Sequence, residues 1–334
     1  MFRYTREQIT TILPGFVISL TVGLAASFLG EHYGAPAMLF ALLLGMALHF
    51  IHEDPKAQAG IAFTSSTVLR IGVALLGFRI AFADVVTLGW KTFLMMAAGI
   101  ITTIIFGLLI ARLFSLKRRF GALTGGAVAI CGASAALALS AVMPKSDEQE
   151  RDTVFAVVGV TALSTLAMII YPMIGGLSGM TDTEAGIFIG ATIHDVAQVV
   201  GAGYSISVEA GDLAALTKLM RVAMLLPVVL IFVMVFRAHR NTAPNAKKPT
   251  LIPGFLVAFV AFALLNSAIA IPVEAKSALT TFSRTCLITA IAAIGLKSNL
   301  RSLVTLGWRP VMLMVVETIW LAGLVLLCLP MIGA

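Results

Sequence analysis

The sequence predicts an all-α polytopic membrane protein of about eleven transmembrane helices, with inverted-topology repeats and broken, glycine-rich helices. Composition is the first reason: of 334 residues, 59% are hydrophobic and 12% charged, and mean hydropathy is +1.01. A soluble domain carries about 25% charged residues, so this chain lacks the polar coat of a water-soluble globule. Second, stretches of the roughly 20 apolar residues needed to span a bilayer follow one another almost end to end. Third, the pentapeptide "VTLGW" occurs at 86–90 and again at 304–308.

The apolar segments, in order, are 12–29, 36–51, 61–80, 90–114, 120–142, 153–177, 184–204, 214–237, 251–271, 278–296 and 303–330. Arg3 and Arg6 before the first look like the charged start of a signal peptide, but no small-residue cleavage site follows, so it reads as an uncleaved span. The second is short, and the fifth and seventh are rich in small residues. Helices are the default, because a single span satisfies its backbone hydrogen bonds internally; the alternation of a membrane β-barrel is absent. Connections are brief, so residues 1–334 form one integral membrane unit. Cys131, Cys286 and Cys328 all sit in apolar stretches; neither a disulfide framework nor a thiolate metal site fits.

With a cytoplasmic N-terminus, fourteen Lys and Arg fall on the inner side and seven on the outer, the latter being Arg79, Lys91, Lys145, Arg151, Lys218, Arg221 and Lys276. That bias supports N-in and places the acidic run 147–152 outside. The net charge of +7 thus reflects topology; no basic stripe marks a nucleic-acid surface.

Extending the repeat backward aligns Gly77 with Gly295 and Arg79 with Lys297. The repeat halves, around 61–114 and 278–330, are seven spans apart. An odd separation makes the copies point oppositely through the membrane, an arrangement found in many secondary transporters.

Two polar stretches interrupt the oil. "GALTGGAVAICGASAALALSA" (121–141) permits close helix packing and also a break at Cys131, Gly132, Ala133 and Ser134, where freed N–H groups could face an anion. "GATIHDVAQVVGA" (190–202) sets His194 and Gln198 four residues apart with Asp195 between them. The alternatives there are an ion-coupling site, since intramembrane ionisable groups are expensive, and a solvated turn. One histidine and one carboxylate are too few for zinc. Arg70 and Arg284, each beside serine and threonine, suit an oxyanion if they do not snorkel to an interface. Glu317 is the carboxylate deep in the last segment, able to neutralise an arginine or carry a proton; Arg221 reads as interfacial.

"AICGASAALA" (129–138) and "GATIHDVAQVVGAG" (190–203), with "LPGF" (13–16), "GF" (77–78) and "AIGLKSNLRSL" (291–303), resemble the YeiH-type family of conserved bacterial membrane proteins, described as sulfate exporters. The likeness covers nearly the whole chain. It implies a place in the superfamily of cation/proton antiporters and anion transporters, a bacterial inner membrane, and a core that moves against a scaffold, with unwound helices forming the site. As single crossings, however, segments five and seven would run parallel, whereas helices crossing from inverted repeats run antiparallel. Either one segment is re-entrant or segment five has another partner.

The expected function is secondary active transport of a small anion, sulfate or a related sulfur oxyanion or sulfonate, by alternating access with H⁺ or Na⁺. Cys131, Gly132, Ala133, Ser134, Arg70 and Arg284 would bind it, with His194, Asp195, Gln198 and Glu317 coupling the ion. The alternative is a monovalent cation/proton antiporter using Asp195. No enzyme activity, cofactor, metal or nucleic acid is expected: a Ser134–His194–Asp195 triad is badly set, as adjacent residues point to different helix faces, and no phosphate-binding loop is present. Lipids are partners, and a homodimer is allowed.

Overall fold

The computed structural model describes residues 6–33, 37–79, 82–144, 147–236, 254–269, 271–298 and 307–332. All regular structure among them is helical. The chain runs α1 Arg6–Tyr33, α2 Ala37–Ala47, α3 Pro55–Phe63, a π-helical turn Thr64–Val68, α4 Leu69–Leu75, α5 Phe82–Ile110, α6 Arg118–Ala129 and α7 Ala133–Val142. Then come α8 Asp147–Leu177, α9 Asp182–Thr192, α10 Val196–Ile206, α11 Val208–Ala223, α12 Leu225–Phe236, α13 Gly254–Ala268, α14 Val273–Lys297 and α15 Trp308–Ile332. Seven helical stretches are long and apolar enough to cross a membrane.

The eleven apolar segments are not eleven crossings. The fifth folds back on itself as α6 and α7. A Cβ on Gly126 would lie 2.3 Å from Leu139 Cδ1, so the two arms touch. Their far ends meet as well, since Lys117–Phe120 and Met143–Pro144 line one cavity. Lys117 pairs with Glu148 at this mouth and holds that carboxyl below its usual range. The acidic run therefore shares a face with Lys117, correcting its expected place on the opposite side.

The seventh segment is a second hairpin, α9 and α10. A capping box, Thr181 with Glu184, starts α9, and Thr183 Oγ1 donates to Glu209 Oε1 at 3.2 Å. A Cβ on Gly203 would come 2.9 Å from Gly211 Cα. The start of α9 and the end of α10 thus both lie beside the start of α11. Between the hairpins α8 runs 31 residues, about 46 Å at 1.5 Å per residue, enough to carry the chain across. The hairpins enter from opposite faces, which resolves the orientation conflict: both segments are re-entrant.

Close backbone approach organises two bodies. In one, α1, α2, α3, α4, α13 and α14 pack together; a Cβ on Gly45 would lie 2.4 Å from Ala292 O and one on Gly295 equally close to Leu42 O. In the other, α5 and α15 join the hairpins, α8 and α11, with Gly107 and Gly121 forming a similar notch. Small residues permit such contacts where lipid supplies no hydrophobic drive.

Of the second "VTLGW", only Gly307 and Trp308 fall among the described residues. Gly89 and Gly307, equivalent in the repeat, both have positive φ, 69° and 81°, so glycine makes a corner within α5 and another just before α15. α5 and α15 run antiparallel: Lys91 Nζ donates to Met331 O at 3.3 Å, Phe106 stacks on Trp320, and Phe114 meets Trp308.

Candidate functional site

The two hairpin tips meet. α6 stops at Ala129, and the chain turns through Ile130, Cys131 and Gly132 before α7 begins. Gly132 (φ 62°, ψ −125°) is a conformation that a Cβ would strain. In the other hairpin Ile193 (ψ 139°) and Asp195 (ψ 144°) are extended and break the helix around His194. A Cβ on Gly132 would sit 3.5 Å from that of His194.

Each tip leaves helix-terminal carbonyls without helical partners. Two cations of α11, one turn apart and fully buried, take them up. Arg221 donates to Val128 O at 2.6 Å, Ala129 O at 2.5 Å and Ala191 O at 2.5 Å. Lys218 Nζ donates to Ile130 O at 2.7 Å and Ile193 O at 2.8 Å. Positive charge complements the negative end of a helix, so these side chains hold both tips at once. Arg221 is therefore not interfacial, and Lys218 does not lie in an outer loop.

The N-terminal ends at the break differ. No side chain caps α7, whose N-cap is Gly132. Asp195 caps its own helix, accepting from Ala197 N at 3.3 Å, while its backbone N–H donates to Ser164 Oγ at 3.0 Å.

Two adjoining cavities open here between the two bodies. One, of about 170 Å³, is lined by Ser65, Ser66, Arg70, Cys131, Ser134 and Asp195. The other, of about 430 Å³, is lined by Ser65, Ala133, Thr161, Thr165, Asp195 and Gln198, with Lys297. Ser65 and Ser66 belong to the π-turn, a distortion often found at functional sites.

The structure thus brings together Arg70, Cys131, Ala133, Ser134, Asp195 and Gln198, with Gly132 as the hinge behind them. It sets three others apart. Arg284 lines a separate cavity of about 140 Å³ with Arg79 and Tyr204, where Arg79 pairs with Asp212 at 3.0 Å and Tyr204 donates to the same carboxylate. His194 is fully buried. Its Nδ1 lies 3.1 Å from Val128 O and its Nε2 3.1 Å from Thr318 Oγ1. A carbonyl only accepts, so Nδ1 carries the proton, while the Thr318 hydroxyl beside Nε2 also donates to Met314 O at 2.8 Å. Glu317 is buried on α15, bonded to Thr124 Oγ1 at 2.8 Å, with Oε2 unpartnered. Among the described residues no cluster of three His, Cys, Asp or Glu forms a metal site.

The family described as conserved hypothetical protein 698 matches residues 14–314. A UPF0324 membrane protein of Chlorobaculum tepidum is 52% identical over 314 residues, 94% of this chain and 88% of that one. The chain belongs to the UPF0324 family. Its UPF0324 relatives include TauZ of Paracoccus denitrificans, 49% identical over 332 residues and 98% of each chain. One from Pseudomonas aeruginosa is 33% identical over 94% of this chain and 92% of its own. The YeiH-type resemblance read from the sequence fits this family. Among solved structures, the sodium proton antiporter of Methanocaldococcus jannaschii aligns over 96% of this chain and 99% of its own at 13% identity. The TM-score is 0.28, too slight a likeness to argue from.

Proposed function

We propose that this UPF0324 member is a secondary transporter of a small sulfur oxyanion or sulfonate, working by alternating access in the inner membrane. The observation that carries it is the cavity at the tips. The uncapped N-terminus of α7, the Arg70 guanidinium and Ser134 converge there, beside Ser65 and Ser66, whose hydroxyls donate to Ala62 O. Helix N-termini and guanidinium forks are both suited to oxyanions. Lys218 and Arg221 add positive charge just behind the tips, and among the described residues neither forms an ion pair. The cavities lie between the two bodies, where motion of one against the other would expose them alternately.

Topology supports the reading. Hairpins do not cross, so Arg151 joins the side of Lys117, and Lys218 and Arg221 leave the loop tally. Of the charges first assigned outside, Arg79, Lys91 and Lys276 then remain there among the described residues, a stronger positive-inside bias for a cytoplasmic N-terminus. The shared glycine corners on antiparallel α5 and α15 support an inverted repeat. A hydrolase is disfavoured, because His194 spends both nitrogens on Val128 and Thr318 rather than on Ser134 or Asp195.

The second reading, a cation/proton antiporter, rests on Asp195 in the same cavities. Proteoliposome uptake of sulfate, sulfite, taurine and other sulfonates, under H⁺ and Na⁺ gradients, separates the two. Saturable uptake of at least one anion is expected. Cation/proton exchange with no anion movement would replace the proposal by the antiporter.

A further inference from the structure

The larger cavity holds a group of oxygens that the anion reading does not use. Gln198 is buried, lines the cavity, and its Oε1 has no hydrogen-bond partner. A buried acceptor left unmatched is costly and calls for an explanation. One turn away on α10, the Asp195 carboxylate faces the same space. Across it stand Thr161 and Thr165 of α8. Their hydroxyl protons are already engaged, with Val157 O at 2.7 Å and Thr161 O at 3.0 Å. What both threonines can turn outward is therefore lone pairs. Among the described residues Asp195 forms no ion pair, although Lys297 shares the cavity from α14 and Lys218 lies behind the tip.

Several neutral oxygens around one carboxylate make a donor set for a hard, singly charged cation; a divalent ion commonly takes more carboxylates. We propose that a monovalent cation of the Na⁺ class binds between α8 and α10, on Asp195, Gln198 Oε1, Thr161 and Thr165. Asp195 lines both cavities. Its bare carboxylate repels an anion beside Arg70, and a bound cation cancels that repulsion. In this way cation binding admits the anion, which makes Na⁺ the coupling ion; this last step rests on the transporter reading above.

The test uses purified full-length protein in detergent, titrated with NaCl against choline chloride at constant chloride, with thermal unfolding as the readout and no anion substrate present. Na⁺ should stabilise the wild type saturably. Gln198→Leu and the isosteric Thr161→Val/Thr165→Val pair should weaken its apparent affinity tenfold or more, by analogy with losses around other metal sites, and Asp195→Asn should abolish it. The threonine variants keep side-chain shape, so their loss of response is not a folding failure. Equal response of wild type to Na⁺ and choline, or undiminished Na⁺ response in all three variants, overturns the site. Anion uptake indifferent to Na⁺ would remove the coupling and leave the transporter reading. A saturable Na⁺ response in a protein that moves no anion would leave the site and remove that reading.

Discussion

Replacing Arg221 by Met tests whether the two tips are held as the geometry implies. Three carbonyls within 2.6 Å lose a donor at once, and while Val128 O keeps His194 Nδ1, those of Ala129 and Ala191 are left unmatched. Each buried carbonyl left unmatched costs about 1–3 kcal/mol, partly offset because the buried guanidinium no longer needs desolvating. A net loss of about 3–5 kcal/mol is expected. At roughly 2–4 °C per kcal/mol for a chain of this order of size, unfolding should begin about 10 °C lower. Arg221→Lys should fall between, since a point ammonium cannot match a fork that reaches both hairpins. The assay is thermal unfolding in detergent, with uptake measured in parallel. An Arg221→Met protein that melts within about 2 °C of wild type would refute the reasoning, because the carbonyls would then be satisfied some other way.

Other predictions follow from where the side chains sit. Arg70→Met should abolish anion uptake while leaving stability within about 0.5 kcal/mol, as Arg70 is exposed and outside the packed core. Arg284→Met should leave uptake near wild type, because its cavity is apart from the tips; equal loss in both variants would show that the cavities are one path. Gly132→Ala forces a Cβ into a positive-φ position and should cost about 1–2 kcal/mol and slow uptake; unchanged stability would mean the tip relaxes freely. His194→Ala removes a bridge from α6 to α15 and should lower the melting temperature more than Asp195→Asn does, while Asp195→Asn should impair uptake more. The opposite ranking in the two assays would exchange their roles.

The geometry of the candidate site was legible in the sequence where it depended on local backbone. Gly132 needs positive φ, and a histidine and aspartate between small residues break a helix, so both tips could be found by reading along the chain. Arg70 and Asp195 stood out as charges in oil. Hairpins were not legible, because two arms of 10–12 residues sum to the length of one span. Only the contact of Gly126 with Leu139, or of Gly203 with Gly211, shows the chain turning back. Lys218 and Arg221 were misplaced for a related reason. The apolar run begins near 214, so they look terminal, whereas α11 starts at Val208, with Ser207 alone between it and the end of the hairpin. Their partners are carbonyls, which every sequence supplies and none advertises. Thr161 and Thr165 carry no signal in the sequence, since threonines in an apolar helix usually bond their own backbone, as these do.

The grip of α11 on the tips falls on main-chain oxygens alone. Such a mount is blind to the identity of the residues it holds. Positions 131, 133 and 134, which face the cavity, can be exchanged without touching the bonds that fix the loop in place. On the transporter function proposed above, what the cavity accepts can be retuned at these positions while the fixture stays the same. An engineer wanting a different cargo would begin by randomising these three residues and leave Lys218 and Arg221 alone.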